Sequence, residues 1–397
     1  MSIDLSYGLT PYLPSDTAIN RLRGLAYELA QHSAHLAGQV PWETASALGE
    51  MLSVINSYYS NRIEGQGTHP VEIEAAFKAM AAGQPDHLVD VGTAITRVER
   101  QLPAWIINYP NLSDTAFITQ LHREAYSHLG QEHLTVKYDD GRTLQMVPGE
   151  LREVDVAVGH HVACKHSDVK MAMATLSRHM RVAEGMGELG ILTAATAHHR
   201  LLWIHPFVDG NGRVARLYSH ACLMRVMRYA PLWSLSRGLA RNKDEYYRRL
   251  IAADAPRQGD YDGRGSRSEK GLIEWIDFFL DCMRDQMQFM STALDLEGYR
   301  KRVKKFVEVY CDGTNRGFPK LHPKSHIVLV AAYSQGSIGR GDVPAMVNLA
   351  ERMSRLVTSE LLEAGLLYAE SPRASLKPRF PAKYLEYLFP GLGPAAN

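Results

Sequence analysis

Between Pro41 and Glu64 the apolar positions Leu48, Met51, Leu52, Ile55, Tyr59 and Ile63 fall three, four and seven residues apart, which lines one face of a helix. Gly65 follows as a left-handed stop, so the spacing predicts a helix over about 42–64. The same period predicts helices over about 70–83, 88–107, 114–129, 167–183 and 186–203, another starting near Gly212, and one over 268–294. Residues 1 to about 20 contain prolines and little periodicity and read as an extended arm. Between Thr135 and Gly159 the period changes. Asp139-Asp140-Gly141-Arg142 is turn chemistry, and Val154, Val156 and Val158 alternate with Asp155 and Ala157, which predicts a small β-hairpin projecting from the helices. Residues 255–268 are too polar and too rich in Gly to bury apolar area, and predict an exposed, mobile loop.

A basic run, Arg300-Lys301-Arg302 and Lys304-Lys305, with the Gly- and Pro-containing stretch 311–323 behind it, reads as a boundary; the run itself reads as a solvated helix face. Beyond it come helical spacing over 325–334, 342–349 and 354–364, Gly365 as a stop, and extended pieces at about 366–370 and 376–381. That order suggests a winged helix-turn-helix module. The expected organisation is therefore an N-terminal helical region (1–110), a central helical core (111–298), and a linker with a winged-helix-like domain (299–397), in a mostly α protein.

Composition narrows the partners. Hydrophobic residues make up 45% of the 397 and charged residues 22%, as in globular proteins. Lys+Arg 44 against Asp+Glu 43 leaves +1, so no chain-wide attraction for nucleic acid or anionic lipid exists. No apolar run approaches a membrane span and no signal peptide opens the chain, which with four scattered cysteines (164, 222, 282, 311), read as free thiols, predicts a cytoplasmic protein. His160, His161, Cys164 and His166 cluster but lack a second ligand pair at zinc spacing, and zinc is set aside.

The chemistry concentrates in His205-Pro206-Phe207-Val208-Asp209-Gly210-Asn211-Gly212-Arg213-Val214-Ala215-Arg216, between two helices. Gly210 and Gly212 permit close approach of a ligand to the backbone, and the N–H groups of 210–213 at a helix start form an anion nest. Arg213 and Arg216, three residues apart, can clamp further phosphate oxygens. A carboxylate among those donors makes sense with a divalent cation between it and a polyphosphate, so Asp209 implies Mg²⁺ or Mn²⁺, unless it merely caps the helix. His205, at the mouth of the loop, can take a proton from an attacking hydroxyl.

This stretch resembles the signature of the Fic family, H-x-F-x-[D/E]-G-N-G-R-x-x-R, at every fixed position. Ala197-His198 through Ile204 resembles the family's lead-in helix, and Gly149-Glu150-Leu151-Arg152 with the alternating valines its target-docking flap, so that the resemblance covers about 40–295. It implies a Fic-type helical core with a small hairpin flap and transfer of AMP from ATP to a hydroxyl of a protein that docks at about 152–159. His205 is then the general base and Asp209 holds the metal. Gly210, Asn211, Gly212 and Arg213 bind the phosphates, and Arg216 holds the γ-phosphate.

Far upstream, Ser60-Asn61-Arg62-Ile63-Glu64-Gly65 resembles the family's inhibitory motif, which implies autoinhibition by pairing of Glu64 with Arg216; the alternative is a structural ion pair at a capped helix end. A glutamate so placed also leaves open the removal of AMP. Asn242 falls where the resemblance implies contact with the base, and equally where an N-cap would stand. For the C-terminal module, eight Lys+Arg and six Asp+Glu over 322–397 leave a net +2, which favours protein recognition or homodimer packing over DNA binding.

Overall fold

The computed structural model describes residues 12–83, 90–137, 141–159, 161–181, 187–227, 232–311 and 319–394. The N-terminal part holds α1 (Asp16–Ala37), α2 (Trp42–Ile63), α3 (Pro70–Ala81) and α4 (Val91–Asn108). Helix α1 starts inside the segment expected to be an arm, because Leu22, Ala26, Leu29 and Leu36 supply a buried stripe. Helix α2 matches its expectation within a residue. Gly65 has φ +76°, its N–H donates to Arg62 O at 3.1 Å, and Gln66 N–H donates to Asn61 O at 3.0 Å, a Schellman stop.

The centre runs through α5 (Thr115–Tyr126), a single turn α6 (Gln131–Leu134), β1 (Thr135–Lys137), β2 (Thr143–Gln145), β3 (Ala157–Val158), β4 (His161–Val162), α7 (Val169–Arg181), α8 (Glu188–Ile204), α9 (Asn211–Met227), α10 (Leu235–Arg241), α11 (Lys243–Ala253) and α12 (Glu269–Leu294). The one hairpin expected over 135–159 is two. Strand β1 pairs antiparallel with β2, and β3 with β4 in the register Ala157↔Val162 and Val158↔His161. Of the valine alternation only Ala157–Val158 is strand, because Arg152 draws the carbonyl of Val154 inward (2.7 Å). The turn residues Asp139 and Asp140, like His160 of the cysteine–histidine cluster, lie outside the described residues; among those described, no His, Cys, Asp and Glu converge as a metal cluster. Loop 255–268 is tied down more than its polarity suggests. Arg264 is buried and donates to Ala253 O (2.5 Å), while Asp262 accepts from the N–H groups of Gln258 and Lys270.

The basic run is a helix face, as its spacing predicts. It lies within α13 (Leu296–Tyr310), whose Tyr299, Val303, Phe306, Val307 and Tyr310 are buried while residues 300, 301, 304 and 305 face solvent. The C-terminal part comprises α14 (Ser325–Gln335), α15 (Val343–Val347), α16 (Glu351–Glu363), β5 (Leu367–Tyr368) antiparallel to β6 (Lys377–Pro378), and α17 (Leu385–Leu388). It packs back on the rest: Thr44 donates to Tyr333 O (2.8 Å), Tyr59 to Gly393 O (3.1 Å), and Arg237 to Gly391 O (2.6 Å). Helix α2 is thereby gripped along its length. No helix among the described residues is long and apolar enough to cross a membrane.

Candidate active site

Helix α8 is buried on nearly all sides and ends at Ile204, because Pro206 disfavours helical geometry in the residue before it. His205 takes up the turn in the left-handed region, φ 52° and ψ 62°, where a side chain is strained. Arg152 holds it there. This buried guanidinium donates to His205 O (2.7 Å), Ile204 O (3.3 Å) and Cys164 O, and the Arg152 N–H donates to Pro206 O (2.9 Å). His205 Nδ1 faces Leu202 O at 3.3 Å; a carbonyl only accepts, so the proton sits on Nδ1 and Nε2 keeps its lone pair. Burial lowers the pKa of the half-buried imidazole to about 4, with the bond to Leu202 opposing, and the ring is neutral at physiological pH.

The loop that follows is stapled from within. Asn211 Oδ1 accepts from Phe207 N–H (2.9 Å) and its Nδ2 donates to Phe207 O (2.9 Å), so the side chain staples the loop and only its backbone N–H faces the helix start. Phe207 stacks on His122, centroids 4.0 Å apart and planes 8° off parallel. His122 Nδ1 accepts from Gly149 N–H (2.7 Å), which places its proton on Nε2, donating to Asp209 O at 3.2 Å. One imidazole thus joins the motif loop to the start of the flap.

Gly210 has φ +79°, and a Cβ there would strike the Tyr126 hydroxyl. Its N–H donates to Asp209 Oδ1 at 2.6 Å, so the nest expected over 210–213 reduces to the first-turn N–H groups of α9. Asp209 itself is exposed beside them, a single carboxylate of the kind Mg²⁺ takes alongside phosphate oxygens.

Both arginines of the motif are buried, and α2 holds both. Arg216 donates from Nε to Ser60 Oγ (2.8 Å), and from Nη2 to Ser60 O (3.0 Å) and Glu64 Oε1 (2.6 Å). Arg213 donates to Asn61 Oδ1 (2.7 Å), Gln66 Oε1 (2.8 Å) and the Tyr126 hydroxyl (3.1 Å). A Cβ on Gly212 would strike Glu64 Oε1, which puts the glutamate carboxylate against the first turn of α9, where the helix dipole is positive. Burial pushes the Glu64 pKa up, but Arg216, with Arg213 and Lys243, outweighs it and keeps the acid below its ordinary value. The ion pair therefore persists across the neutral range.

Asn242 takes no part in the hydrogen bonds of this cluster, although Lys243 beside it acts on Glu64. It is the residue before α11 yet makes no side-chain cap; Nδ2 donates back to Gly238 O at 2.9 Å. Sequence reasoning missed His122, Tyr126, Arg152 and Gln66. Arg152 and Asn61 lie inside quoted motifs, but nothing local marks their partners.

Three buried or half-buried histidines, His122, His205 and His220, are each lowered by burial to about 4. The unfolded chain takes up these protons near pH 6.5, whereas the folded chain resists them until about pH 4, so stability falls as pH drops through that window. Glu99, raised by burial to about 8, works in the opposite sense with one proton. His179, His198 and His199, also lowered by burial, add to the histidine side and Glu74, raised by burial, to that of Glu99, so the histidines dominate. The melting temperature at pH 5 should lie at least about 4 °C below that at pH 7, measured by circular dichroism; an equal or higher value contradicts the burial of these rings.

Residues 112–223 match the Fic/DOC family. The protein adenylyltransferase Fic of Drosophila ananassae is 39% identical over 77 residues, 19% of this chain and 16% of the relative. Its counterpart in Drosophila melanogaster is likewise 39% identical over 77 residues. The match thus spans about a sixth of the length of these relatives. Among solved structures, a Fic family protein from Desulfovibrio desulfuricans G20 aligns over 93% of this chain and 98% of its own, with TM-score 0.52 and 17% identity. A Fic domain containing signaling protein from Bacteroides thetaiotaomicron VPI-5482 aligns over 68% of this chain and 96% of its own, with TM-score 0.50 and 17% identity. The chain has the mostly helical Fic fold and carries a Fic/DOC domain distantly similar to protein adenylyltransferases.

Proposed function

We propose that this Fic/DOC domain protein is a nucleotidyltransferase that moves AMP from ATP onto a hydroxyl side chain of a target protein, restrained by its own α2. The observation that carries the reading is the neutral His205, with Nε2 left as an acceptor, at the edge of a helix start that presents unpaired N–H groups and two arginines. His205 takes the proton of the target hydroxyl as its oxygen attacks the α-phosphorus and pyrophosphate leaves. Arg213 and the N–H groups of residues 211–213 bind the phosphates; Arg216 holds the γ-phosphate. A divalent cation at Asp209, Mg²⁺ or Mn²⁺, would offset phosphate charge. The extended stretch 152–159, its exposed edge fixed by Arg152 and by His161 Nε2 donating to Trp203 O (2.9 Å), supplies the surface on which the target segment docks. Asn242, exposed beside α11, remains assigned to the adenine edge.

Glu64 restrains the reaction because its carboxylate occupies the positive helix start and neutralises the arginine that a γ-phosphate needs. The C-terminal helices and the β5–β6 pair are read as a winged helix-turn-helix that recognises protein. Arg355 on α16 is paired with Glu351 (3.0 Å) and Lys377 with Glu370 (2.8 Å), and Met353 and Leu356 are exposed on the same helix, a surface poor in charge available for DNA. The test is incubation of cell lysate with the purified Glu64→Gly protein, Mg²⁺ and α-labelled ATP. A mass increment of AMP on a Ser, Thr or Tyr is expected; a different increment, or none on any protein, overturns the reading.

A further inference from the structure

A cavity of about 1110 Å³ lies between the end of α1 and helices α2, α4 and α9, and no residue of the motif loop lines it. Its walls are largely apolar, with Val40, Leu52, Pro103 and Met224 among them, and Trp42 and Ile107 stand at its edge, 78% and 82% exposed. Large side chains left in water beside a cavity of this size mark a ligand site more than a packing fault.

Asn56, 3% exposed, donates from Nδ2 to Glu99 Oε2 at 2.9 Å, and its Oδ1 is buried with no partner. Glu99 is 7% exposed, and burial raises its pKa to about 8. His220, from α9, is lowered by burial to about 4 and is therefore neutral and able to accept. The cations that face the cavity are already engaged. Arg100 of α4 donates to Ser53 Oγ (3.1 Å) and Glu50 O (3.4 Å), and Arg225 of α9 donates to the carbonyls of Pro110, Ile106 and Tyr109. Glu50, at the rim, adds a negative charge. Uncharged Glu99 and His220 each still carry one proton; the acceptor that stands without a donor is Asn56 Oδ1, beside the acid of α4 and with a second acid, Glu50, at the rim.

We propose that this cavity binds an apolar amine, its ammonium donating to Asn56 Oδ1 and the Glu99 carboxylate and its hydrocarbon lying along the wall of Leu52 and Met224. The ammonium replaces the missing donor and the Glu99 carboxyl releases its proton to solvent on binding, so the ligand enters a site that is apolar on all sides but one.

The full chain is titrated at pH 7 by calorimetry with hexylamine, hexanol and hexanoate as probes. Hexylamine should bind one to one, roughly tenfold tighter than hexanol, with hexanoate undetectable, since a charge-assisted bond to a buried acceptor is worth about that ratio. Glu99→Gln should weaken the amine roughly tenfold and leave hexanol unchanged. Gly49→Phe offers a second route that does not touch the polar cluster. Gly49 lines the cavity and a Cβ there meets no atom within 4 Å, so the added ring takes up part of the space without a clash and should weaken binding of amine and alcohol alike. Hexylamine that binds no tighter than hexanol, or that binds Gly49→Phe as well as the parent, overturns the proposal.

Discussion

Replacing His205 by Ala should abolish transfer of label from α-labelled ATP, with a loss of about a hundredfold to ten-thousandfold, the range a positioned general base supplies. The fold should survive. The imidazole makes one long bond to Leu202 O, and the clamp from Arg152 grips the backbone carbonyl of residue 205, which alanine keeps. Alanine is nonetheless strained at φ 52°, so the variant should melt slightly lower without losing its secondary structure. Nucleotide affinity should be little changed, because the phosphate ligands lie on α9. The measurement is initial rate of labelling alongside nucleotide binding, both in the Glu64→Gly background. Labelling within a factor of two of that background would sink the general-base assignment, whatever the nucleotide affinity.

How much of this site the sequence made legible follows from the range of the forces that build it. Helix α2 and its stop were readable because the apolar spacing and Gly65 act within a few residues, and the Schellman bonds of Gly65 and Gln66 stay inside that turn. The motif loop was readable because its residues are contiguous and the positive φ at Gly210 is a local demand, while the Tyr126 hydroxyl and the Glu64 carboxylate that also require glycine at 210 and 212 come from far along the chain. What stayed hidden is long in sequence. Arg152 acts on the carbonyl of a residue 53 positions later, and His122 reaches Asp209 across 87. No local pattern marks which buried polar groups will meet. The role of the Asn211 side chain was hidden too: the loop's own N–H and C=O at Phe207 require partners and take it, which leaves the backbone N–H of Asn211 at the helix start. The basic run at 300–305 was legible as a solvated helix face because the apolar residues between those charges set the period of α13.

Replacing Glu64 by Gly should raise labelling roughly tenfold to a hundredfold, the ratio equivalent to one charge-assisted pair of about 1.5 to 3 kcal/mol. The gain is in productive binding of ATP and not in the chemical step, since Glu64 touches Arg216 and the first turn of α9 and lies on no path to Nε2 of His205. The rest of the latch limits the effect. Ser60 still accepts from Arg216 Nε, and Asn61 and Gln66 still hold Arg213, so the single variant frees the γ-phosphate ligand while leaving the neighbouring arginine bridged to α2. Adding Gln66→Ala to Glu64→Gly should therefore raise labelling again, by less than the first step, because a side-chain amide bonded to a guanidinium is a weaker hold than a carboxylate. Arg216→Ala should behave in the opposite way. It removes the phosphate ligand itself, so labelling stays low whether or not Glu64 is present. Rates measured at saturating and at limiting ATP separate the two. In the Glu64 variant the gain should appear mainly at limiting ATP, and in the Arg216 variant saturating ATP should recover only part of the loss. A Glu64 variant no more active than the parent, or an Arg216 variant that is activated, reduces residues 60–65 to a capped helix end with a structural ion pair.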